Sequence, residues 1–412
     1  MMKLFSLTDL STRVLGKRLQ ALESGRLCVV FPNGTQAIYG RGVAARPVEL
    51  RIHRWRFFAR VAMGGDLGFA ESYMRAEWTT DDLTRLIKLF ADNRDAMGDS
   101  SASATWARRL LERALHWSRR NTQRGNRRNI EAHYDLGNEF FEVFLDPSMT
   151  YSCGIFEPGD KSLERAQRRK IATIIEKAEV RADHHVLEIG SGWGSLAITL
   201  AAETGCRVTT LTQSSRQLEH VRALVRKAGL EKHINVQLCD YRSATGEYDR
   251  IVSIEMLEAV GHENLPTYFA TCQRLLRPGG RAVVQVITIE DHLYESYRKS
   301  SDFIRRYIFP GGHLPSAGAL RAAIATTERL QIEAVEDIGA HYALTLRMWR
   351  ENFLANAGAL ADMGFDDRFR RMWDYYFCYC EAGFLGDMLG DLHLVLTHGP
   401  SAARAVAAKD AA

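Results

Sequence analysis

From about residue 129 onward, apolar runs of strand length alternate with amphipathic helical segments. The strand candidates are HVLEIG, CRVTTL, INVQLC, DRIVSI and AVVQVITI, and between them SLAITLAAET, RQLEHVRALVRKAG and NLPTYFATCQRLL repeat apolar residues at helical spacing. Two later runs, LQIEAVEDIG and LHLVLTHG, bring the predicted strands to about seven. This alternation predicts an α/β domain over residues 129–400, in which helices cover a mostly parallel sheet.

Residues 289–330 interrupt this alternation with tyrosines, charges and the run IFPGGHLPS. Ligands of α/β proteins bind at the carboxyl edge of the sheet. We therefore predict that this segment is an inserted lid over that edge.

The first hundred residues have the pattern of a small mixed α+β domain. Thr8–Glu23 is a helix candidate, and LCVVF and TQAIYG flank Asn33-Gly34, a pair that favours the turn of a hairpin. VELRIH is a further strand candidate, whereas WRFFARVA and DDLTRLIKLFA have helical periodicity. The organisation predicted from the pattern is thus a domain over 1–100, a linker over 101–128 and a larger domain over 129–400.

The linker is strongly basic, although the whole chain has a formal net charge of only +4. Eight arginines and one acid, Glu112, lie between Arg108 and Arg128. Trp106 and Trp117 border an apolar helical face, and basic residues with interfacial tryptophans suit an anionic membrane surface. Nucleic acid would attract the same charges, and a solvated linker helix is the simplest alternative.

Composition narrows the class of protein further. The chain is 46% hydrophobic, has no stretch of 18 apolar residues and begins without the apolar core of a secretory signal, so we expect a cytoplasmic protein. Its seven cysteines are scattered and lack a CxxC motif. We therefore expect neither a disulfide framework nor a metal site.

The most informative motif is a glycine-rich turn after the first strand of the larger domain. It consists of Gly190, Ser191, Gly192, Trp193 and Gly194. Its GxGxG spacing differs from the GxGxxG fingerprint of dinucleotide sites, so a nucleoside without pyrophosphate fits better and points to S-adenosylmethionine (SAM). Glu188, at the end of the strand, is placed to meet the methionine amino group. The alternative is a tight strand-to-helix turn without a ligand.

The following strands support a nucleoside site. Asp240 and Tyr241 end the third strand, where they are predicted to bracket an adenine ring. The second strand ends in TTLTQS and lacks the acidic residue expected to bind ribose hydroxyls. We expect neutral hydrogen bonds from Thr212, Ser214 and Gln217 in its place.

At this point the sequence resembles the cyclopropane fatty acid synthases and mycolic acid cyclopropane synthases. The matching runs cover about 129–400 in collinear order, and they are HYDLGNEFFEVFLDPSMTYSCGIF, VLEIGSGWG, LTQSSRQ, DRIVSIEMLEAVGHE, RYIFPGGHLPS, GAHYALTL and RRMWDYYFCYCEAGF. The resemblance implies a Rossmann-like class I methyltransferase sheet and a lipid-associated N-terminal domain. It also implies cofactor contacts from Tyr134, Tyr151 and Ser152, and the predicted cofactor set includes Gln213 and Arg242.

The resemblance further implies a reaction. One carbon passes from SAM to the cis double bond of an unsaturated acyl chain in a membrane phospholipid, and a base then removes a proton so that a cyclopropane closes. The base of the family is a bound bicarbonate. Its implied ligands are the backbone of Cys153 and Ile287, the side chains of Glu258 and Tyr342, and residue 285.

Two departures from the family pattern leave the product open. Gln285 stands where cyclopropane synthases usually have histidine, and relatives that methylate unsaturated fatty acids resemble this chain there. Ala259 replaces the histidine of the family's Glu-His-Val-Gly, and Glu255 is an additional carboxylate. The ring is the main prediction, and a methyl-branched, methylene or furan-precursor chain is the alternative. A methyltransferase for a small soluble substrate is a further alternative.

Cys380 lies in the run where the family has a cysteine once taken as a nucleophile, so it is carried in the catalytic set. Because the alkene is the nucleophile in this chemistry, a structural thiol is the favoured interpretation. The resemblance implies a homodimer, and we expect it at the inner membrane surface. A nucleic-acid-binding function is disfavoured because the glycine turn, Glu258 and Tyr342 are retained.

Overall fold

The computed structural model describes residues 15–42, 46–97 and 136–399. The predicted basic linker at 101–128 lies outside the described residues, as does Tyr134. Residues 15–20 are helical, within the predicted helix Thr8–Glu23.

The described residues contain both strands and helices. The strands are β1 Leu27–Val30, β2 Gln36–Tyr39, β3 Val48–Ile52, β4 Trp78–Thr80, β5 His185–Ile189, β6 Arg207–Thr212, β7 Ile234–Leu238, β8 Tyr248–Ile254, β9 Leu276–Ile289, β10 Leu330–Asp337 and β11 Leu389–His398. The helices are α1 Arg56–Met74, α2 Leu83–Asp92, α3 Arg94–Met97, α4 Asn138–Glu142, α5 Leu163–Lys177, α6 Ser195–Thr204, α7 Ser215–Lys227, α8 Leu265–Leu275, α9 Asp291–Tyr297, α10 Ala317–Ile324, α11 Gly339–Ala355, α12 Ala357–Asp362 and α13 Asp367–Leu385.

Several helices begin where the local sequence supplies a cap. In each case a Ser or Asp side chain accepts a hydrogen bond from the backbone N–H three residues later. The capping residues are Asp82, Ser162, Ser214, Ser316 and Asp366. These caps satisfy backbone donors that the first helical turn leaves open.

The chain forms two compact units, and each is built from separate segments. The described part of the first unit comprises residues 15–42, 46–97, 300–308 and 346–388. That of the second comprises residues 136–299, 309–345 and 389–399.

The first unit contains a four-stranded sheet in the order β2-β1-β3-β4. β1 and β2 are antiparallel, as the hairpin predicted around Asn33-Gly34 requires, and Gly34 has a φ of 83°. β1 and β3 are parallel, and β4 is a short strand that the sequence pattern did not predict. The small mixed α+β domain is thereby confirmed.

The late segment 346–388 contributes buried partners to this first unit. Tyr73 on α1 donates to Asp374 on α13 (Oη to Oδ2, 2.5 Å). Thr84 on α2 donates to Glu381 on α13 (Oγ1 to Oε2, 2.8 Å). All four side chains are buried, so these hydrogen bonds join the two ends of the unit in an environment where unpaired polar groups are costly.

The second unit contains a seven-stranded sheet in the order β10-β11-β9-β8-β5-β6-β7. The five strands β5 to β9 are parallel, and the later pair β11 and β10 runs antiparallel beside β9. Apolar side chains from both faces of this sheet pack under helices in two separate clusters. The predicted α/β class and the count of about seven strands are confirmed.

β9 starts earlier than the pattern predicts. Leu276–Gly280, ahead of the predicted run AVVQVITI, belongs to the strand, and the pairing with β8 shifts between Tyr248 and Arg250. Gly279, at φ 77°, permits this bulge. Within 289–330 the chain forms α9, a π-helical turn at Ile304–Ile308 and α10. Within the described ranges, no helix combines the length and apolar content that crossing a membrane requires.

Candidate active site

The glycine-rich turn leads from β5 into α6, and its three glycines all have positive φ angles, of 98° at Gly190, 49° at Gly192 and 91° at Gly194. A Cβ added at Gly194 would lie 2.9 Å from Val221, and one at Gly190 would lie 3.2 Å from Met256. Nothing lies within 4 Å of the Cβ position at Gly192. Close packing thus requires glycine at the two ends of the turn, whereas its middle faces open space.

The turn is fixed to the neighbouring strand by backbone hydrogen bonds. The N–H groups of Gly190 and Ser191 donate to the carbonyl of Leu211 on β6, at 3.0 and 2.8 Å. β5 lies between β6 and β8, so strands run outward from it in both directions. Such a point of reversal is where α/β sheets form a ligand crevice at their carboxyl ends.

A cavity opens at this crevice, and most of the predicted cofactor residues line it. Those that do are Tyr151, Ser152, Glu188, Gly190, Ser191, Gly192, Trp193, Thr212, Gln213, Gln217 and Tyr241. Gly194, Ser214, Asp240 and Arg242 do not line it. The structure therefore brings together eleven residues that are separated along the chain by up to ninety positions.

Glu188 is buried at the end of β5 and accepts a hydrogen bond from the hydroxyl of Thr210. Burial raises the pKa of this carboxyl to about 8, while Thr210 and the cationic Lys170 act in the opposite direction. A carboxyl group in this position can accept hydrogen bonds from a cationic amino group that enters the cavity.

At the end of β6, neutral groups form the side of the cavity. Thr212 donates to Gln217 (Oγ1 to Oε1, 2.8 Å), and both residues line the cavity. Ser214 has a different task, because its hydroxyl caps α7 by accepting from the N–H of Gln217 at 3.3 Å. Of the three predicted ribose contacts, Thr212 and Gln217 line the cavity, and Ser214 caps α7, the helix that carries Gln217.

Asp240 and Tyr241, which were predicted to contact the two sides of an adenine ring, follow β7 and have different surroundings. Arg242 binds Asp240 with two side-chain hydrogen bonds (Nε to Oδ1, 2.9 Å; Nη2 to Oδ2, 2.6 Å). This pairing with Asp240 raises the pKa of the Arg242 guanidinium. Tyr241 lines the cavity, whereas Asp240 and Arg242 do not.

A second group of polar residues meets where β8 ends. Glu255 follows β8 directly and has a φ of 46°, a left-handed conformation that few non-glycine residues adopt. Its carboxylate accepts hydrogen bonds from the Cys153 backbone N–H (2.8 Å), from Gln285 Nε2 (2.9 Å) and from Tyr342 Oη (2.6 Å). Glu255 also lines the cavity. An unusual backbone conformation that aims a carboxylate into a crevice is typical of a functional residue.

Glu258 and Asp391 are the other carboxyl groups at this position, and we refer to Glu255, Glu258 and Asp391 as the acid cluster. Glu258 Oε1 accepts from the backbone N–H of Ile287 at 2.6 Å, whereas its buried Oε2 has no hydrogen-bond partner among the described residues. Burial and the neighbouring Glu255 raise the pKa of Glu258 to about 8. Burial also raises the pKa of Glu255 and, more strongly, that of Asp391.

Five of the six predicted catalytic residues therefore meet at the acid cluster, and they are Glu258, Tyr342, Cys153, Gln285 and Ile287. Cys380 does not join them. It lies on α13, in the unit that contains the four-stranded sheet, and burial and Asp302 raise the pKa of its thiol. The thiol of Cys153 is also buried with a raised pKa, so its backbone N–H is the group that acts on Glu255.

Two residues of this site went unassigned from sequence. Glu255 stood out there only as an additional carboxylate. Lys170 on α5 is buried, lines the cavity and donates to Ser152 Oγ at 2.7 Å. The sequence does indicate that Lys170 is buried, because Lys170 falls on the apolar face of α5, with Leu163, Ala166 and Ile174 at helical spacing.

Among the residues that the structure describes, no group of three or more His, Cys, Asp or Glu side chains is arranged to hold a metal ion. What the site offers is a carboxylate with three donors, an adjoining crevice and one buried ammonium group.

Comparison with known proteins identifies a matching family model and similar curated proteins. The family model for mycolic acid cyclopropane synthetase matches residues 121–393. A tuberculostearic acid methyltransferase from Mycobacterium tuberculosis is 40% identical over 371 residues, which cover 84% of each chain. A cyclopropane-fatty-acyl-phospholipid synthase from Escherichia coli is 34% identical over 344 residues, covering 82% of this chain and 85% of the relative.

One solved structure has a similar fold. It is a mycolic acid cyclopropane synthase complexed with SAH and CTAB, with a TM-score of 0.62 and 30% sequence identity. The match covers 66% of this chain and 98% of that protein.

Proposed function

Since this chain belongs to the mycolic acid cyclopropane synthetase family of SAM-dependent methyltransferases, which modify lipid acyl chains, we propose that it alkylates the double bond of an unsaturated acyl chain in a phospholipid. The observation that carries this proposal is the Glu255 carboxylate. It stands in the cavity beside the glycine turn and holds three hydrogen-bond donors.

The residues of the cavity fit SAM. Glu188 suits the amino group of the methionine, Thr212 and Gln217 suit ribose hydroxyls, and the ring of Tyr241 suits the adenine. The open backbone at Gly192 leaves room for the ligand to approach closely. When bound, SAM supplies an electrophilic methyl group.

The residues do not fit the bicarbonate that the family uses as a base. Three of the five groups expected to hold it, Cys153 N–H, Gln285 and Tyr342, donate to Glu255 instead. The fourth, the N–H of Ile287, donates to Glu258, which is itself the fifth. A further anion would find these donors in use and two carboxyl groups beside it, which is unfavourable in a buried site.

We infer that Glu255 is the base. An alkene is a weak nucleophile, so the cavity must hold the acyl chain in line with the methyl donor, and proximity supplies much of the rate. Once the chain has gained the methyl group it carries a positive charge, which the Glu255 carboxylate stabilises. Glu255 then takes a proton: a C–H bond breaks, an O–H bond forms, and the electron pair neutralises the cation.

The electron pair can close a cyclopropane or form a new double bond, and we propose the second outcome, an open chain that carries a methyl or methylene branch. Gln285 favours it, because fatty acid methyltransferases resemble this chain at that position. The relative with 40% identity is likewise a methyltransferase by name. The ring predicted from the family as a whole is the second candidate, favoured by the match to the Escherichia coli synthase over 82% of this chain.

The remaining predictions concern the setting of the reaction. We propose that the protein works in the cytoplasm at the inner surface of the membrane, where an anionic surface would deliver the lipid to it. A homodimer stays a prediction from the family resemblance, and the arginine-rich segment that motivated the membrane surface lies outside the described residues.

The direct test is to incubate the purified chain with SAM labelled in the methyl group and vesicles of a cis-unsaturated phospholipid. We expect the acyl chains to gain about 14 mass units, one CH2 group, with the label retained. An open-chain product that still contains a double bond takes up hydrogen over a catalyst, whereas a cyclopropane resists under the same mild conditions.

Matched controls make the outcome decisive. Vesicles of a fully saturated phospholipid should show no gain, because they offer no alkene. Label recovered in a soluble small molecule but not in lipid would overturn the lipid function, and resistance of the product to hydrogenation would replace the open chain with the ring.

A further inference from the structure

Lys170 is a buried cation in the wall of the cavity. It lies on the buried face of α5 and is only 1% exposed. Among the residues that line the cavity, those with a carboxyl or amino side chain are Glu188, Glu255 and Lys170, so Lys170 is their single cation. A charged group is costly to bury unless opposite charge or hydrogen bonds compensate it. The partners of this ammonium group therefore indicate what it binds.

The protein itself supplies few of those partners. Lys170 Nζ donates to Ser152 Oγ at 2.7 Å. Within the described ranges this is its one hydrogen bond, and no carboxylate forms an ion pair with it. Because an ammonium group has three N–H bonds to donate, two of them have no acceptor in the part of the chain that the structure describes.

The bond to Lys170 also determines what the Ser152 hydroxyl can do. An ammonium group only donates, so Ser152 Oγ accepts from it and its own O–H bond is directed to another acceptor. No described residue accepts that proton, and Ser152 lines the cavity together with Lys170. The two side chains therefore offer hydrogen-bond donors and positive charge, the combination that recognises an anionic group.

Ser152 is held in place on both sides. Gln167, three residues before Lys170 on α5, is fully buried and donates from Nε2 to the Ser152 carbonyl at 2.7 Å. The backbone N–H of the next residue, Cys153, donates to Glu255 Oε1 at 2.8 Å. A donor that is already fixed loses little conformational freedom when a ligand binds, which strengthens binding.

We propose that Lys170 and Ser152 recognise the carboxylate of the methionine part of SAM, and that Lys170 provides the specificity for this anion. Glu188 suits the amino group of the same methionine, so the cavity presents one group of opposite charge to each end of an amino-acid zwitterion. Lys170 is close enough to Glu188 to act on the pKa of that carboxyl. The inference rests on the SAM cavity of the proposed function, but not on the identity of the lipid.

Calorimetric titration of the full chain without lipid tests this assignment apart from the reaction. The two ligands are S-adenosylhomocysteine (SAH) and the analogue of SAH that lacks only the carboxylate. Wild type should bind SAH about 10–100-fold more tightly than the analogue, as expected for hydrogen bonds to a charged group. Lys170→Met keeps a long side chain without the charge, and its affinity for SAH should fall to that for the analogue. Affinity for the analogue itself should change by less than about twofold.

The analogue also shows whether each variant folds, because it needs the same cavity. Lys177→Met is the matched control: Lys177 lies at the end of the same helix, pairs with Glu336 and does not line the cavity, so both affinities should stay at the wild-type values. An equal loss for both ligands in Lys170→Met, or an unchanged affinity for SAH, would overturn the proposal.

Ser152→Ala gives an independent test that leaves the buried charge in place. It should weaken SAH binding about tenfold and leave the analogue unaffected. If Lys170→Met bound neither ligand, this variant would decide: a selective loss for SAH supports the proposal, and an equal loss for both ligands overturns it.

Turnover separates this role from an effect on the base. A carboxylate remote from the methyl group is held equally before and during transfer, so Lys170→Met should raise the KM for SAM about 10–100-fold and change kcat by less than about threefold. A large loss of kcat with wild-type affinity for SAH would assign the charge of Lys170 to Glu255 and overturn the proposal. Absence of lipid alkylation would leave the ratio of the two affinities as it is, so the two proposals can fail separately.

Discussion

Two sides of one cavity are built by different means. At the ends of β5 and β6, glycine backbone and neutral hydroxyl and amide groups line the space, and the turn that forms it is five consecutive residues. At the end of β8, polar groups converge from elements far apart in sequence: Cys153 and Glu255 are 102 positions apart, and Gln285 and Asp391 are 106 positions apart. In the proposed function the first side holds the ligand and the second moves a proton, so mutations should separate binding from turnover.

The largest expected effect is that of Glu255→Gln. Removing the proposed base while keeping its shape should reduce turnover by about 10²–10⁴-fold, the usual contribution of a positioned proton acceptor. SAM affinity, measured by calorimetric titration, should stay within about twofold because binding energy comes from the other side of the cavity.

Glu203→Gln, at an exposed position on α6, is the matched control and should behave as wild type. Normal turnover in Glu255→Gln would assign the base to another residue and remove the distinction between the two sides.

A pair of alanine substitutions in the glycine turn should give the next largest effect. Gly194→Ala forces a side chain against Val221 at a φ of 91°, and should lower the free energy of unfolding by about 2–3 kcal/mol. Gly192→Ala meets no neighbour, so it should cost only about 1 kcal/mol for its left-handed backbone, yet weaken SAM binding.

Urea unfolding and calorimetric titration of both variants measure these two quantities. Equal stabilities would show that the packing of α7 against the turn is looser than the structure indicates, and full SAM affinity in Gly192→Ala would place the ligand elsewhere.

The third expected effect is a pH dependence of stability that originates at Glu188. Its pKa is raised from 4.5 to about 8 by burial, so the folded protein binds a proton that the unfolded chain releases. The resulting contribution of Glu188 to the free energy of unfolding is complete below about pH 4.5 and is lost as the pH rises to about 8. Glu188→Gln should remove it, changing the slope of the unfolding free energy by up to about 1.4 kcal/mol per pH unit in that interval.

Chemical unfolding at several pH values between 4.5 and 8.5 measures this slope. As the pH rises, the unfolding free energy of the wild type should fall relative to that of Glu188→Gln. Parallel curves for the two proteins would mean that Glu188 is ionised in the fold at neutral pH.

The cofactor side was largely predictable because its information is local. The strand before Gly190, the glycine spacing and the helix after Gly194 are contiguous, and eleven predicted residues line the cavity. The predicted residues that do not line the cavity make local contacts instead. Ser214 caps α7 and Asp240 pairs with its near neighbour Arg242, and neither residue lines the cavity.

The catalytic side was predictable only in part. Family resemblance pointed to Tyr342, Glu258 and residue 285, but no periodicity shows that their hydrogen bonds converge on Glu255. That convergence depends on a left-handed backbone at Glu255 and on the register of β9 against β11, which sets Gln285 opposite His393. Neither the backbone conformation of Glu255 nor the β9–β11 register can be read from neighbouring residues, because strand register depends on the packing of the whole sheet.

The separate segments of the first unit have a consequence for synthesis on the ribosome. Tyr73 and Thr84 find their buried partners 301 and 297 residues later, on α13. A nascent chain thus carries α1 and α2 without these partners until its last quarter emerges, and the hydroxyl groups stay hydrated meanwhile. Deleting α13 would expose the surface of α1 and α2 that it covers, and deleting α1 and α2 would expose the matching surface of α13. The two segments are therefore needed in the same chain.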